Sequence, residues 1–491
     1  MPKIIGRQKQ QHIFQEAFGS NKAELIALYG RRRVGKTFLV KNYFENKKCL
    51  FIYVSGLKNG SLSEQLAHFV EALSSIFVPG VSIEKPTSWV KAFKLLTQLI
   101  NFRPKREKIV IFFDEMPWLA TKKSKFLPAL DYYWNRHWVH DQRIKLIVCG
   151  STASWIINNI INNKGGLHNR VTRQINLEPF TLSETKEYLR ANRINLTDKQ
   201  ILELYLVMGG IPHYLSHISK NLSVTQNIDE LAFNKQGLLY KEFDNLFFSL
   251  FDKAELYIDL IRIIARYRYG IEQKELFKQY HQAARGGRIV KRLQGLEQAG
   301  FIVSFLPKGH KRRGIYYRLV DEYSEFYIKW IEPFKQGAWK LENSTGIWQN
   351  LRLTPSCRSW SGYAFETVCF KHIGQIRRAL KLDPLSIPTA WRFVPRKNQD
   401  EEGAQIDLLF DRSDDSITIC EIKYTEKPFI IDKFQAKLFL QKITAFKQAT
   451  KTDKQIFLVL ISATGIKKNI YSEDLFSAII TLDDLFKPHS F

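Results

Sequence analysis

Residues 25–37 read LIALYGRRRVGKT. An apolar, β-rich run at 25–29 leads into Gly30-Arg31-Arg32-Arg33-Val34-Gly35-Lys36-Thr37, which fits the pattern GxxxxGK[ST] without a gap. Residues 38–44 then carry helix-compatible side chains. Strand, glycine-rich turn and helix in this order are the context that a phosphate-binding P-loop needs. Gly30 and Gly35 let the backbone curl until its N–H groups face phosphate oxygens, and the helix N-terminus adds a favourable dipole. Lys36 is expected to neutralise the β- and γ-phosphates of ATP, and the Thr37 hydroxyl to ligate Mg²⁺. A chance glycine-rich turn is the plain alternative, and both flanking elements argue against it.

Further along, residues 108–115 read KIVIFFDE. A continuous apolar run of this kind is expected inside a parallel sheet, buried on both faces. It ends in two acids. Asp114 is expected to hold Mg²⁺, mostly through water, and Glu115 to activate the attacking water. A third strand at 144–149 runs into Gly150-Ser151-Thr152, small polar residues that would either position the γ-phosphate or simply cap the strand. The segment GGLHNRVTRQINLEPF contains Arg170 and Arg173. An arginine here would reach the γ-phosphate in cis or across a subunit interface, or be one of many surface arginines.

The whole chain of 491 residues is too long for one core, so two to four domains are expected. With 45% apolar and 13% aromatic residues it is globular rather than disordered. Its 74 basic and 48 acidic residues leave a net charge of +26, a self-repulsion that a polyanion would relieve. DNA is the first partner to consider and an anionic membrane surface the second; a generally lysine-rich proteome is the bland explanation. The five cysteines lie singly, with no CxxC pair, so neither zinc nor a disulfide framework is indicated. Neither an apolar signal core nor a membrane-length apolar run is seen, and a cytoplasmic location is expected.

Residues 201–245 read as helices interrupted at Gly209, Gly210 and Pro212. From about residue 255 the order is helix, helix, a long basic helix (GGRIVKRLQGLEQAGF), then a strand, a basic turn (KGHKRRG) and a second strand. That is the order of a winged helix-turn-helix. Arg285, Arg288, Lys291 and Arg292 have spacings that bring several to one helical face. Lys308, Lys311, Arg312 and Arg313 cluster at the hairpin tip, where they would sit on phosphates with little sequence preference. A solvated loop on a packing domain is the competing reading.

A polar stretch at 342–361 looks like a separator. After it come a helix at 362–373 carrying Glu366, the strand WRFVPRK, the strand with Asp407, the strand with Glu421 and Lys423, a long helix through Thr450 and the strand QIFLVLIS. The order α, β, β, β, α, β is the layout of the restriction-endonuclease-like fold, which carries a PD-(D/E)XK constellation. Carboxylates on adjoining strands can share Mg²⁺, which polarises a phosphate and lowers the pKa of a bound water. Lys423 lies two positions after Glu421 and so shares its sheet face, where it can orient the nucleophile or stabilise the pentacovalent phosphate. Glu366 would add a direct or outer ligand. A triplet of this kind also arises in ordinary hairpins with charged ends.

Six segments occur in a recognisable order: IIGRQKQ, LYGRRRVGKT, FFDEMPWLA, CGSTASWI, LHNRVTRQINLEPF and MGGIPHYL. Over residues 1 to about 230 the chain resembles a prokaryotic AAA+-like family, the archaeal-type ATPases, related to the STAND signalling NTPases. The resemblance implies that Gly6 and Arg7 line the adenine side of the site. It also implies that Arg170 is the family's arginine, although His168-Asn169 stands where the family usually has Tyr-Gly. It further implies a C-terminal nuclease-like domain with a helix glutamate, an Ile-Asp and a Glu-x-Lys, matched here by Glu366, Asp407, Glu421 and Lys423. The family's aromatic-rich approach to the aspartate is replaced by RKNQDEEGAQ.

The expected fold is therefore α/β: a P-loop NTPase parallel sheet (1–180), a helical lid (181–245), a winged helix-turn-helix (246–335) and a C-terminal α/β restriction-endonuclease-like domain (345–491). The expected catalytic residues are Glu115, Arg170, Asp407, Glu421 and Lys423. Nucleotide contacts are expected from Gly6, Arg7, residues 30–37 and Asp114, and metal contacts from Thr37, Asp114, Glu366, Asp407 and Glu421. The expected function is an ATPase coupled to a Mg²⁺-dependent DNA nuclease, in defence or mobile-element biology, with DNA and further copies of the chain as partners. The alternative is a STAND-like switch whose nuclease fold is inactive.

Overall fold

Four largely apolar runs and the polar edge segment RQIN become the strands of one parallel sheet: β1 (Glu24–Tyr29), β2 (Leu50–Ser55), β3 (Ile109–Asp114), β4 (Ile144–Gly150) and β5 (Arg173–Asn176), in the order β2-β3-β4-β1-β5. Every residue of β3 and β4 is buried, which is why both read as mostly apolar rather than alternating, with Lys145 interrupting β4. The helices Leu62–Phe77, Trp89–Asn101 and Phe126–Arg136 contribute Phe69, Trp89, Phe93 and Phe126, which meet edge to face. The register aligns Tyr29 with Gly150 and Ser55 with Asp114, so all these strands end at one edge of the sheet. Ligands of open α/β sheets bind at that carboxyl edge.

This is a computed structural model, and it describes residues 3–162, 165–167, 169–280, 286–306, 314–337, 346–393 and 404–488. The chain divides into two compact units, Met1–Pro179 with Leu250–Asp252, and Phe180–Ser249 with Lys253–Phe491.

The second unit begins with the helices Leu182–Ala191 and Asp198–Met208, each opened by a threonine capping box. Gly209 ends the latter helix with φ at 60°, and a Cβ on Gly210 would collide with Phe180 O, so the Gly-Gly pair serves a close approach of two backbones. The helix Glu255–Ala265, strand β6 (Ile271–Glu272), the helices Gln273–Gln279 and Gly286–Gln298, and strands β7 (Ile302–Phe305) and β8 (Tyr316–Leu319) follow. These three short strands pair antiparallel in the order β6-β8-β7.

The C-terminal sheet runs β13-β12-β11-β10-β9, with β9 (Ile387–Phe393), β10 (Ala404–Asp411), β11 (Ser416–Lys423), β12 (Gln455–Ser462) and β13 (Ala478–Ile480). Strands β9 to β11 are antiparallel, and β11 to β13 are parallel. A parallel pair needs a crossover, and the helix Lys433–Thr450 provides it between β11 and β12. That helix buries Phe439 and Phe446 over Trp391, Ile406, Leu409 and Ile419.

One expectation fails here. The stretch at 342–361 is not a separator: residues 338–345 lie outside the described ones, but Ile347–Leu351 and Pro355–Lys371 are helices. The polar letters conceal Trp348 and Trp360, which pack with Phe326 and Trp330 in one aromatic cluster. Burying two indoles outweighs the surrounding serines.

Candidate active sites

Between Gly30 and Gly35 the chain turns through left-handed conformations at both glycines and at Arg33, with φ of 142°, 91° and 70°. A Cβ on Gly30 would run into the backbone of Leu177, so this position accepts glycine alone. Lys36 opens the helix Lys36–Phe44, and its Nζ donates to Gly30 O and Arg31 O, both at 2.9 Å. Burial lowers its pKa, while the charges of Glu115 and Asp114 work in the other direction. Thr37 Oγ1 donates to Asp114 Oδ2 at 2.6 Å, so the two residues expected to hold Mg²⁺ already touch. Both are hard oxygen donors at the mouth of the P-loop, a set that suits Mg²⁺.

Glu115 lies just past β3 with φ at 45°, a conformation that costs energy for a non-glycine residue. Its Oε2 accepts from Ser151 N at 3.2 Å and from Ser151 Oγ at 2.9 Å. Thus the acid at the tip of β3 and the small polar residue after β4 form one unit. Arg7, also in the left-handed region, is buried and donates to Glu178 O at 2.6 Å and Val34 O at 3.2 Å. It braces the P-loop against the segment that leaves β5. Arg31 is buried and contributes its carbonyl to Lys36.

The arginines before and on β5 are a different matter. β5 starts beside the start of β1, with Arg173 paired to Ile26, and Thr172 N donates to Leu25 O. Arg170 therefore enters at the sheet edge opposite the P-loop, about 15 Å away at 3.3 Å per residue. Its side chain is exposed, with no partner among the described residues. Arg173 is bound to Glu16 at 2.6 Å and lies 3.7 Å from buried Glu24.

In the C-terminal sheet, β10 and β11 pair Leu408 with Cys420, and the same register carries Asp407 to Glu421. Residues directly opposite in an antiparallel pair share a face, with Cβ atoms about 4.5–5.5 Å apart. Against β9, the register shifts between Ile406 and Leu409, so Asp407 sits in a β-bulge. Bulges re-aim side chains and break alternation, which no sequence pattern would reveal. Gln405 Nε2 donates to Asp407 Oδ1 at 2.8 Å. Desolvation and the neighbouring charge of Glu421 push the Asp407 carboxyl above the usual range.

Glu421 is buried and accepts from Lys423 Nζ at 2.7 Å. It also accepts from Lys442 Nζ at 3.1 and 3.0 Å, one bond to each oxygen. Against the desolvation of burial, these two ammonium groups hold Glu421 below its ordinary pKa. Sequence reasoning missed Lys442. The signal was present, since it lies three residues after Phe439 and one before Ile443, on the stripe that covers the sheet.

Glu366, expected as a direct or outer metal ligand, is paired with arginines. It is buried on the Pro355–Lys371 helix, accepts from Arg268 Nη2 at 2.7 Å and lies 3.6 Å from Arg318 Nη2. Desolvation and the Asp407 charge push it to about 7 despite these arginines. Among the described residues no group of three or more His, Cys, Asp or Glu is arranged to hold a metal ion. Two of the three carboxylates are engaged by the chain's own cations, Glu366 by Arg268 and Glu421 by Lys423 and Lys442.

On the helix Gly286–Gln298, Arg288 and Lys291 are exposed opposite buried Ile289, Leu293 and Leu296, whereas Arg292 donates to Tyr280 Oη at 3.2 Å. Arg285, Lys308, Lys311, Arg312, Arg313, His168 and the loop at 394–403 lie outside the described residues. All five cysteines are free thiols. Among the described residues no helix is long and apolar enough to cross a membrane.

A P-loop lysine, a hydroxyl–aspartate pair and a glutamate on adjacent parallel strand tips define a P-loop nucleotide-binding unit. Comparison with known proteins agrees: residues 6–218 match the family described as an ATPase domain predominantly from Archaea. An uncharacterised protein of Methanocaldococcus jannaschii is 23% identical over 428 residues, 86% of this chain and 88% of that protein. An uncharacterised ATP-binding protein of the same organism is 50% identical over 45 residues, covering 9% of this chain and 76% of that protein. Among solved structures, the Walker-type ATPase of Pyrococcus abyssi has a TM-score of 0.49 at 17% identity, covering 66% of this chain and 96% of that one.

Proposed function

We propose that the chain binds and hydrolyses ATP with Mg²⁺, and that nucleotide state governs a DNA-cleaving centre in the C-terminal sheet. The observation that carries the ATPase reading is the contact chain Lys36–loop carbonyls, Thr37–Asp114 and Glu115–Ser151 along one sheet edge. The loop N–H groups of residues 30–37 bind the phosphates. Lys36 exchanges its two carbonyl acceptors for phosphate oxygens, a stronger charge-assisted pairing. Thr37 and Asp114 would hold the Mg²⁺, which when bound would neutralise charge on the phosphates. Glu115 orients and deprotonates the attacking water, with Ser151 fixing its carboxylate. Gly6 and Arg7 complete the adenine side. Arg170, at the far edge of its own sheet, acts across an interface between copies in a homo-oligomer.

The three-helix segment with β6-β8-β7 is read as a winged helix that lays the Gly286–Gln298 helix on DNA, with Arg288 and Lys291 on phosphates. In the C-terminal sheet, Asp407 and Glu421 hold Mg²⁺, Lys423 orients the nucleophile, and Lys442 offsets charge on Glu421 when the metal is away. Cleavage of linear, circular and single-stranded DNA by wild type and Asp407→Ala tests this. Loss of cleavage in the variant supports it, and equal cleavage refutes it.

A second reading is a nucleotide-gated STAND-like switch with an inactive nuclease fold. The neutralisation of Glu421 by two lysines and of Glu366 by Arg268 favours it, since such pairs are stable without metal. On that reading Asp407→Ala leaves every DNA-dependent activity intact while Lys36→Ala abolishes it.

A further inference from the structure

We propose that a cleft in the second unit, bordering the Glu366 arginines, binds a phosphate group carried by a nucleotide or by a DNA strand. The cavity is about 630 Å³, within the range of small-ligand pockets. It lies where the end of the Glu255–Ala265 helix and strand β8 meet the first half of the Pro355–Lys371 helix. Five cations line it, Arg262, Arg266, Arg268, Arg318 and Lys329, with the acids Glu325 and Glu332, while Arg268 and Arg318 also face Glu366 behind the wall.

The two acids do little to repel an anion. Glu332 is tied to Arg262 at 2.6 Å. Glu325 is half-buried, and desolvation pushes its carboxyl to about 7. Arg266 and Lys329 are exposed and form no ion pair among the described residues. A cleft built only from structural ion pairs would leave no such surplus.

Orphaned donors point the same way. Trp360 is 3% exposed and lines the cavity, yet its Nε1 has no hydrogen-bond partner among the described residues. Arg268 Nε is likewise buried without one. Unpaired buried donors are costly and are usually matched by a ligand, an ion or water. Ser356 and Ser359 also line the cleft, and Ser356 belongs to the first turn of a 17-residue helix, whose dipole favours an anion there. Donors, surplus cations and a helix N-terminus converge on one acceptor-only group, and phosphate fits.

Full-length Lys36→Ala protein, in which P-loop binding is removed, is titrated calorimetrically with thymidine 5′-monophosphate and with a six-nucleotide single strand of DNA. The comparison is the same protein also carrying Arg266→Ala and Lys329→Ala, two exposed positions whose loss leaves the core untouched; thermal melting checks that it folds. Binding of the mononucleotide, weakened at least tenfold in the comparison protein, supports the cleft with a free nucleotide as source. Binding of the strand alone, weakened to the same degree, supports it with DNA as source. If neither probe binds, or both bind the comparison protein as tightly, the proposal is wrong.

Discussion

Lys36 rests its ammonium on two loop carbonyls in a buried pocket that lowers its pKa. Neutral carbonyls are weaker acceptors than phosphate oxygens, so the pocket favours exchange for nucleotide. Lys36→Ala is expected to lose nucleotide binding, read as the disappearance of ATP-induced thermal stabilisation. Glu115→Gln keeps a hydrogen-bonding side chain but no base. It is expected to bind ATP while turnover falls about 10²–10⁴-fold, the usual size of a general-base contribution. A turnover unchanged in Glu115→Gln would remove the proposed role. Glu325 gives a pH test. Its folded pKa of about 7 lies above the model-peptide value, so its contribution favours the folded state at low pH and is lost as pH rises through about 7. Glu325→Gln is therefore expected to melt progressively higher than wild type as pH is raised from 4.5 to 8. A constant difference in melting temperature would contradict that. These residues differ in how far they could be foreseen. Lys36, Thr37, Asp114 and Glu115 are set by local pattern, whereas the partner of Glu366, Arg268, lies 98 residues away along the chain and no local signal marks it.

At the scale of elements, the parallel sheet was the most legible part of the molecule. β3 and β4 are buried on both faces, and burial on both faces writes itself as a near-continuous apolar run, interrupted in β4 by Lys145. The helix at 355–361 was not legible, because serine, arginine and cysteine around Trp360 mimic a loop while the indole packs against Trp330 and Trp348. The bulge at Asp407 was hidden for another reason: it depends on how β10 pairs with β9, and a single strand carries no record of its partner's register. The loop that opens the P-loop is more transparent. Gly30 has φ of 142° and its missing Cβ gives room to Leu177. Gly30→Ala is expected to cost about 1–3 kcal/mol of stability from backbone strain alone, seen as a lower melting temperature of the first unit. An alanine variant that melts with wild type would show that the loop relaxes freely.

For the whole molecule, charge and coupling are the open properties. The excess of +26 fits a polyanionic partner, and the Gly286–Gln298 helix exposes Arg288 and Lys291 on one face. If that helix lies on DNA, each of Arg288→Ala and Lys291→Ala removes roughly 0.9 from the slope of log affinity against log salt. Slopes that stay at the wild-type value would move the contact elsewhere. The composition alone raises this partner class as an expectation, while the pairing of Glu366 and Glu421 with arginine and lysines emerges only from three-dimensional contacts. The central claim is that nucleotide on the P-loop governs cleavage at the Asp407–Glu421 centre. It is tested most directly by the rate of Mg²⁺-dependent DNA cleavage with ATP, with ADP and without nucleotide, in wild type and Lys36→Ala. The account expects a rate that depends on nucleotide in wild type and no such dependence in Lys36→Ala. Cleavage by wild type that is the same under all three conditions, or no cleavage under any, would contradict it.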